Sequence, residues 1–156
     1  MITFQREKLR DVRHEVDAII TRHWEEIALN KDDVPLDPRW DDYYALEDAN
    51  MLVITTARQD GIIIGYCSHI MVPNLHYRSL RVADVDILYL DQPYRKGRLG
   101  LQLINAQEKN LIAAGANLIL HKRKIHFHNP NGRGIEVALE ALGYKPIEVL
   151  HAKRIK

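Results

Sequence analysis

Apolar residues at positions 9, 12, 16, 19 and 20 recur at the spacing of one helix face. They predict an amphipathic helix over Leu9 to Ile20, continued or restarted from His23 to Leu29, behind a short first strand at Ile2 to Gln5. Pro35 and Pro38 interrupt that pattern, and Pro38 to Ala49 reads as a second helix with Asp37 as its N-cap. The period then changes to two. Met51 to Arg58 and Ile62 to Val72 read as antiparallel strands joined at Asp60-Gly61, a pair suited to the positive φ angles of a tight hairpin. Pro73 to Ser79 is a loop carrying His76, Tyr77 and Arg78.

The next segment organises the chain. Val85 to Leu90 alternates as a strand, with Asp84, Asp86, Leu88 and Leu90 on one face and Val85, Ile87 and Tyr89 on the other. A turn with Pro93 and a basic loop from Arg95 to Gly100 lead into a helix marked by Leu99, Leu103, Ile104 and Leu111 and closed by Gly115. Leu118 to His121 reads as a short strand, Gly134 to Leu142 as a helix closed by Gly143, and Tyr144 to Lys153 as a final strand.

A strand that feeds a helix through glycines and cations suits a phosphate-bearing ligand. The first helical turn leaves N–H groups unpaired, and its dipole favours negative charge. Gly97 and Gly100 let the backbone approach closely, while Arg95, Lys96 and Arg98 add charge. The spacing matches neither a Walker loop nor a dinucleotide fingerprint.

Composition narrows the picture further. The 156 residues, 46% of them hydrophobic, suffice for one domain over 1–156 with a real core. No apolar run is long enough to span a membrane. The single cysteine, Cys67, cannot form an internal disulfide and lies in an apolar run, so it reads as a core residue in a reducing cytoplasm. His121, His126 and His128 sit among Lys122, Arg123 and Lys124, whose charge disfavours a metal; no metal is expected. Charge is uneven: Asp32 to Asp48 holds seven acids and one base, Arg95 to Lys156 twelve Lys or Arg and four Glu. The basic end admits a contact to the adenosine 3′-phosphate of a cofactor or to nucleic acid.

The run YRKGRLGLQLI, preceded by DILYL, resembles the GNAT superfamily of N-acetyltransferases. In that superfamily the fourth strand enters a pyrophosphate-binding loop of Gln or Arg, two residues, Gly, one residue, then Gly or Ala. Arg95 takes the first position, Gly100 the last, and Arg98 stands where the first glycine belongs. A side chain there would either crowd the pyrophosphate or supply a positive contact to it. The same run, with HWEEIAL, PLDPRW and PNLHYR upstream, looks like GNAT proteins of bacteriophages and prophages. The family pattern NxxAxxLYxxxGF is met at Gly143-Tyr144, but Leu139 occupies the place of its tyrosine, so that residue's role does not transfer.

The resemblance implies an α/β (α+β) GNAT fold, a mixed and mostly antiparallel sheet of six or seven strands flanked by helices. It implies acetyl-CoA as co-substrate and transfer of the acetyl group to a primary amine by direct attack on the thioester. Leu88, Tyr89 and Leu90 would meet the pantetheine through the main chain, Arg95, Lys96, Gly97, Arg98, Leu99 and Gly100 the pyrophosphate, and Asn129 or Asn131 would lie near the pantetheine arm. The acidic segment before the second strand would form a wall of the acceptor site. Asp86 would act as general base or ammonium anchor, or else as a structural carboxylate; Tyr94, Tyr89 and His128 are candidates for the general acid. The acceptor is a small molecule, a protein amine or a modified nucleic acid, and a homodimer is admitted. Two readings from other classes stay open: a non-catalytic GNAT-like phage structural or host-interaction protein, and a nucleic-acid-binding module.

Overall fold

A computed structural model describes residues 1–29, 31–122 and 134–153. The elements run β1 (Ile2–Glu7), α1 (Leu9–Ile27), α2 (Trp40–Asp48), β2 (Leu52–Gln59), β3 (Ile62–Pro73), β4 (Arg81–Leu90), a 3-10 turn (Gln92–Tyr94), α3 (Leu99–Ala113), β5 (Leu118–Leu120) and α4 (Ile135–Ala141). This is a GNAT fold: a five-stranded mixed sheet in the order β1-β2-β3-β4-β5, antiparallel except for the parallel β4–β5 pair, with helices on both faces.

The hairpin between β2 and β3 turns at Asp60 (φ 50°) and Gly61 (φ 89°), the double positive φ of a type I′ turn. Helix α1 is continuous through Ile27. Its N-terminal N–H groups at Leu9 and Arg10 are accepted by the Glu47 carboxylate of α2, a remote cap that fixes the two helices together. The second helix starts two residues later than expected, with Arg39 at the cap position and no side-chain cap bond, so Asp37 does not cap it. At the end of α3, Gly115 (φ 92°) receives the chain in the left-handed region, with Gly115 N–H on the Ile112 carbonyl and Ala116 N–H on that of Leu111.

The final strand expected over Tyr144 to Lys153 is not formed. Pro146 has no N–H to give a neighbouring strand, and Ile147, Val149 and Leu150 are exposed. The sheet therefore has five strands among the described residues, one fewer than the lower expectation.

The two sheet faces carry different cores. Toward α1 and α2 lie Leu9, Val12, Val16, Ile19, Ile54, Tyr66 and Tyr89. Toward α3 lie Ala57, Cys67, Leu90, Leu99 and Leu103, followed by Val53, Met71, Ala83 and Leu111. On β4 this corrects the expected alternation. Ala83 faces α3, as do Leu88 and Leu90, and that is possible only if one residue between them is extra. The β3–β4 register places it: Ser68 pairs with Ile87 and His69 with Val85, leaving Asp86 without an opposite residue. A β-bulge at Asp86 thus turns Leu88 and Leu90 onto the α3 face and leaves Asp86 on the other.

Candidate active site at the β4 edge

Asp86 is exposed, on the side of the sheet covered by α1 and α2. Its carboxylate accepts hydrogen bonds from the Tyr43 hydroxyl of α2 (2.8 Å) and the Ser68 hydroxyl of β3 (3.2 Å). Burial, and then the Asp86 charge, push the Tyr43 phenol well above its usual range, so Tyr43 is a neutral donor. Tyr43 and Ser68 had no signal in the sequence: each is distant along the chain, and only the bulge brings them to one oxygen.

Beside this group lies a cavity of about 570 Å³ under α1, α2 and the segment between them, floored by Ile70 of β3 and Ile87 of β4. Asp37, Arg39, Asp42 and Tyr43 stand on its wall, so the acidic segment does border a cavity next to Asp86. His23 of α1 also lines it; its Nδ1 lies 3.3 Å from the Tyr66 hydroxyl, and its ring lies 4.8 Å from that of Tyr89. His23 was not singled out in the sequence, where it fits the helix's apolar spacing.

On the other flank of β4 the sheet opens. Strand β5 pairs with it at Val82–Leu118, Ala83–Ile119 and Asp84–Leu120. From Val85 to Leu90, β4 has β3 on one side and no strand on the other among the described residues. Asn117 pins the root of this fork: its side chain accepts from Arg81 N–H (2.8 Å) and donates to the Ser79 carbonyl (2.6 Å). Gly65 makes the far end of β4 possible, because a Cβ there would sit 2.7 Å from both the Leu90 side chain and the Tyr89 carbonyl oxygen. The main chain of Leu88 and Tyr89 thus has no strand on this flank among the described residues, whereas the Leu90 carbonyl already accepts from Arg95 Nε (2.6 Å).

The loop after β4 is held from below by α1. Arg22 donates twice to Asp91 (3.2 and 2.9 Å), and Glu26, one turn further, accepts twice from Arg95. The Arg95 guanidinium also lies over the Tyr89 ring, 5.3 Å from its centre. Arg95, read from the sequence as a pyrophosphate contact, is therefore occupied with Glu26, Leu90 and Tyr89. Lys96 and Arg98 are exposed and make no ion pair among the described residues. Gly97 has φ 74° and turns the loop; Arg98 sits at the N-cap of α3, which opens with no side-chain cap. Leu99 is buried in the α3-side core, and a Cβ on Gly100 would meet nothing within 4 Å.

Tyr94 packs against the α3-side cluster of Leu90, Leu99 and Leu103, on the opposite face of the sheet from Asp86. Tyr89 is on the same face as Asp86, its hydroxyl donating to Asp91 (3.1 Å). Asn129, Asn131 and His128 lie outside the described residues. Cys67 is fully buried, which pushes its thiol far up and makes it a core residue. No three His, Cys, Asp or Glu side chains come together as a metal site among the described residues, and no described helix is long and apolar enough to cross a membrane.

Residues 15–144 match the model of the acetyltransferase (GNAT) family. The chain belongs to that family, whose enzymes use acetyl-CoA as acetyl donor. Among solved structures, an aminoglycoside acetyltransferase from an uncultured soil metagenomic sample is similar with a TM-score of 0.75 at 15% identity, over 100% of this chain and 99% of that one. A ribosomal-protein-alanine N-acetyltransferase from Brucella melitensis biovar Abortus gives 0.71 at 17%, over 100% and 99%. A predicted acetyltransferase from Clostridium acetobutylicum, solved with acetyl-CoA, gives 0.70 at 15%, over 98% and 96%. At such identities the likeness is one of fold. No curated protein matches the sequence significantly.

The residues present fit the family's co-substrate. A helix start with no side-chain cap, open space at Gly100 and two exposed cations without an ion pair among the described residues suits a pyrophosphate. The β4 edge from Val85 to Leu90, which pairs only with β3 among the described residues, offers main-chain groups to an amide-bearing arm.

Proposed function

We propose that residues 1–156 work as one acetyl-CoA-dependent N-acetyltransferase domain that moves an acetyl group to a primary amine by direct attack on the thioester. The observation that supports this reading is the β4 edge, which from Val85 to Leu90 has no strand neighbour beyond β3 among the described residues, with an anion-ready helix start at one end and the Asp86 carboxylate with its cavity beside it. Acetyl-CoA, when bound, supplies the electrophilic carbonyl. The chain's own part is placement and charge. Lys96, Arg98 and the first N–H groups of α3 hold the pyrophosphate, with Arg98 acting as a positive contact. The main chain of Leu88 and Tyr89 aligns the pantetheine.

Asp86 anchors the incoming ammonium and then receives its proton directly or through a water, with Tyr43 and Ser68 fixing the carboxylate. The N–C bond forms as the C–S bond breaks, and the thiolate of CoA takes up a proton on leaving. Tyr94, which packs on the α3 side of the sheet beside Leu90 and Leu99, is a candidate donor of that proton.

Titration calorimetry with acetyl-CoA tests the cofactor half. Wild type is expected to bind, and Gly100→Glu, which sends a carboxylate into the open space at the helix start, to bind at least about tenfold more weakly. Equal binding by both proteins would remove the loop from the cofactor site. For the acceptor half, Asp86→Asn is expected to keep acetyl-CoA affinity and lower turnover about a hundredfold; unchanged turnover would take Asp86 out of the mechanism.

A further inference from the structure

The cavity beside Asp86 has a definite chemical character. Ile20, Trp24 and Ile27 of α1, Leu36 of the α1–α2 connection, and Ile70 and Ile87 of the sheet form its walls. Its size, about 570 Å³, is that of a pocket for a whole small molecule. The charged groups are few. Arg39 and Asp42 pair with each other at 2.7 Å, which leaves Asp37 as the unbalanced charge on one wall; at the sheet, the Tyr43 hydroxyl links the cavity to Asp86.

Such walls discriminate among amines. The polar groups on the wall are His23, Asp37, Arg39, Asp42 and Tyr43, so a polyhydroxylated amino sugar would press the hydroxyls that these do not reach against Ile20, Ile27, Leu36 and Ile70; each hydroxyl buried there without a partner costs roughly tenfold in affinity. A peptide would bring backbone amides with the same difficulty. An apolar body gains from the same contacts, while its ammonium is left for the Asp86 carboxylate to anchor.

Resting on the acetyltransferase reading above, we infer that the acceptor is a small primary amine on an apolar, aromatic or branched aliphatic body, seated between α1 and the sheet with its nitrogen toward Asp86. The substrate class therefore differs from the amino sugars and proteins acetylated by several structural neighbours.

The test has two readouts on the intact protein. The first is kcat/KM with acetyl-CoA across butylamine, hexylamine, phenethylamine, glucosamine and kanamycin. The proposal expects a roughly fourfold rise per added methylene, phenethylamine above glucosamine by about a hundredfold, and a flattened series in Leu36→Asn. A flat wild-type series, or glucosamine or kanamycin as the better acceptor, would overturn it. The second readout needs no catalysis: in a Trp40→Phe protein, Trp24 reports on the cavity by its fluorescence. A saturable change with phenethylamine but not glucosamine supports the apolar-amine site even where no amine is acetylated, an outcome that would fell the acetyltransfer reading alone. No change with phenethylamine, together with no acetylation of it, overturns the inference.

Discussion

The two faces of the sheet are built from alternate residues of the same strands and yet serve different ends. Under α3 the interior is closed. Leu103, Leu111, Cys67, His69 and Gln107 are fully buried, and a chain of polar groups pairs among them: Thr55 donates to Gln107 Oε1, Gln107 Nε2 donates to the Val53 carbonyl (2.9 Å), and Asn110 donates to Thr55 (2.7 Å). Under α1 and α2 the helices are separated by a proline-bearing connection that stands over the sheet and leaves a cavity. Polar groups stand on its wall, among them Tyr43, which donates to Asp86 (2.8 Å). The close-packed face supplies stability, and the open face keeps its carboxylate and aromatic groups available for a ligand.

The most direct way to break this contrast is to delete the same kind of side chain from both faces. Leu103→Ala, at a site with no room to relax, is expected to cost about 3 kcal/mol, whereas Ile87→Ala, which only enlarges an existing cavity, should cost about 1.5 kcal/mol. Urea unfolding of both variants measures the difference. Equal losses would mean that the cavity face is packed as rigidly as the other.

A second contrast is electrostatic. His69 is completely buried on the closed face, with its Nδ1 near Gln107 Nε2 (3.1 Å) and its ring edge-on to His121 at 4.8 Å. Burial first, and the neighbouring His121 next, lower its pKa from an ordinary 6.5 to about 3. Below about pH 6.5 the unfolded chain takes up a proton that the folded chain refuses, so stability falls as pH drops toward 3, by up to about 1.4 kcal/mol per pH unit. His121, lowered to about 4 mainly by burial, adds in the same direction. Replacing His69 with Gln should reduce the slope of unfolding free energy between about pH 6 and pH 4 by close to one proton. A slope identical to wild type would show that the folded chain does protonate His69.

How much of this was legible in the sequence follows from how local each feature is. The Asp60-Gly61 hairpin, the Gly115 helix end and the strand-loop-helix at Tyr89 to Gly100 are set by neighbouring residues, and they were read correctly. The bulge at Asp86 was not, because period-two reading assumes an unbroken pleat and no glycine marks the break. Its consequence was large: Asp86 was grouped with Leu88, while the fold sets them on opposite faces. The partners of Asp86 and Arg95 were equally hidden, since Tyr43 and Glu26 lie 43 and 69 residues away. The strand expected after Tyr144 is not formed because a β-like pattern alone does not make a strand: Pro146 has no N–H to give a neighbour, and Ile147, Val149 and Leu150 stay exposed.

The smallest expected change in stability concerns the place where the two faces meet, at the end of β4. Arg22 and Glu26, one turn apart on α1, grip Asp91 and Arg95 on either side of the turn that precedes α3. These side chains are exposed to water in part, 52% and 17% for the first pair and 31% and 25% for the second, so each pair contributes about 1 kcal/mol or less to folding. Their larger effect should be on position. Arg95 also donates to the Leu90 carbonyl, so the grip on Glu26 fixes the last residue of the open β4 edge and the start of the phosphate loop together. Glu26→Gln is therefore expected to leave Tm nearly unchanged and to raise KM for acetyl-CoA about fivefold, equivalent to about 1 kcal/mol, with little change in kcat. Steady-state kinetics alongside thermal unfolding separates the two effects. A lowered KM would reverse the assignment. It would mean that Glu26 competes with the pyrophosphate for Arg95, and that the arginine read from the sequence as a phosphate contact is held in reserve by α1.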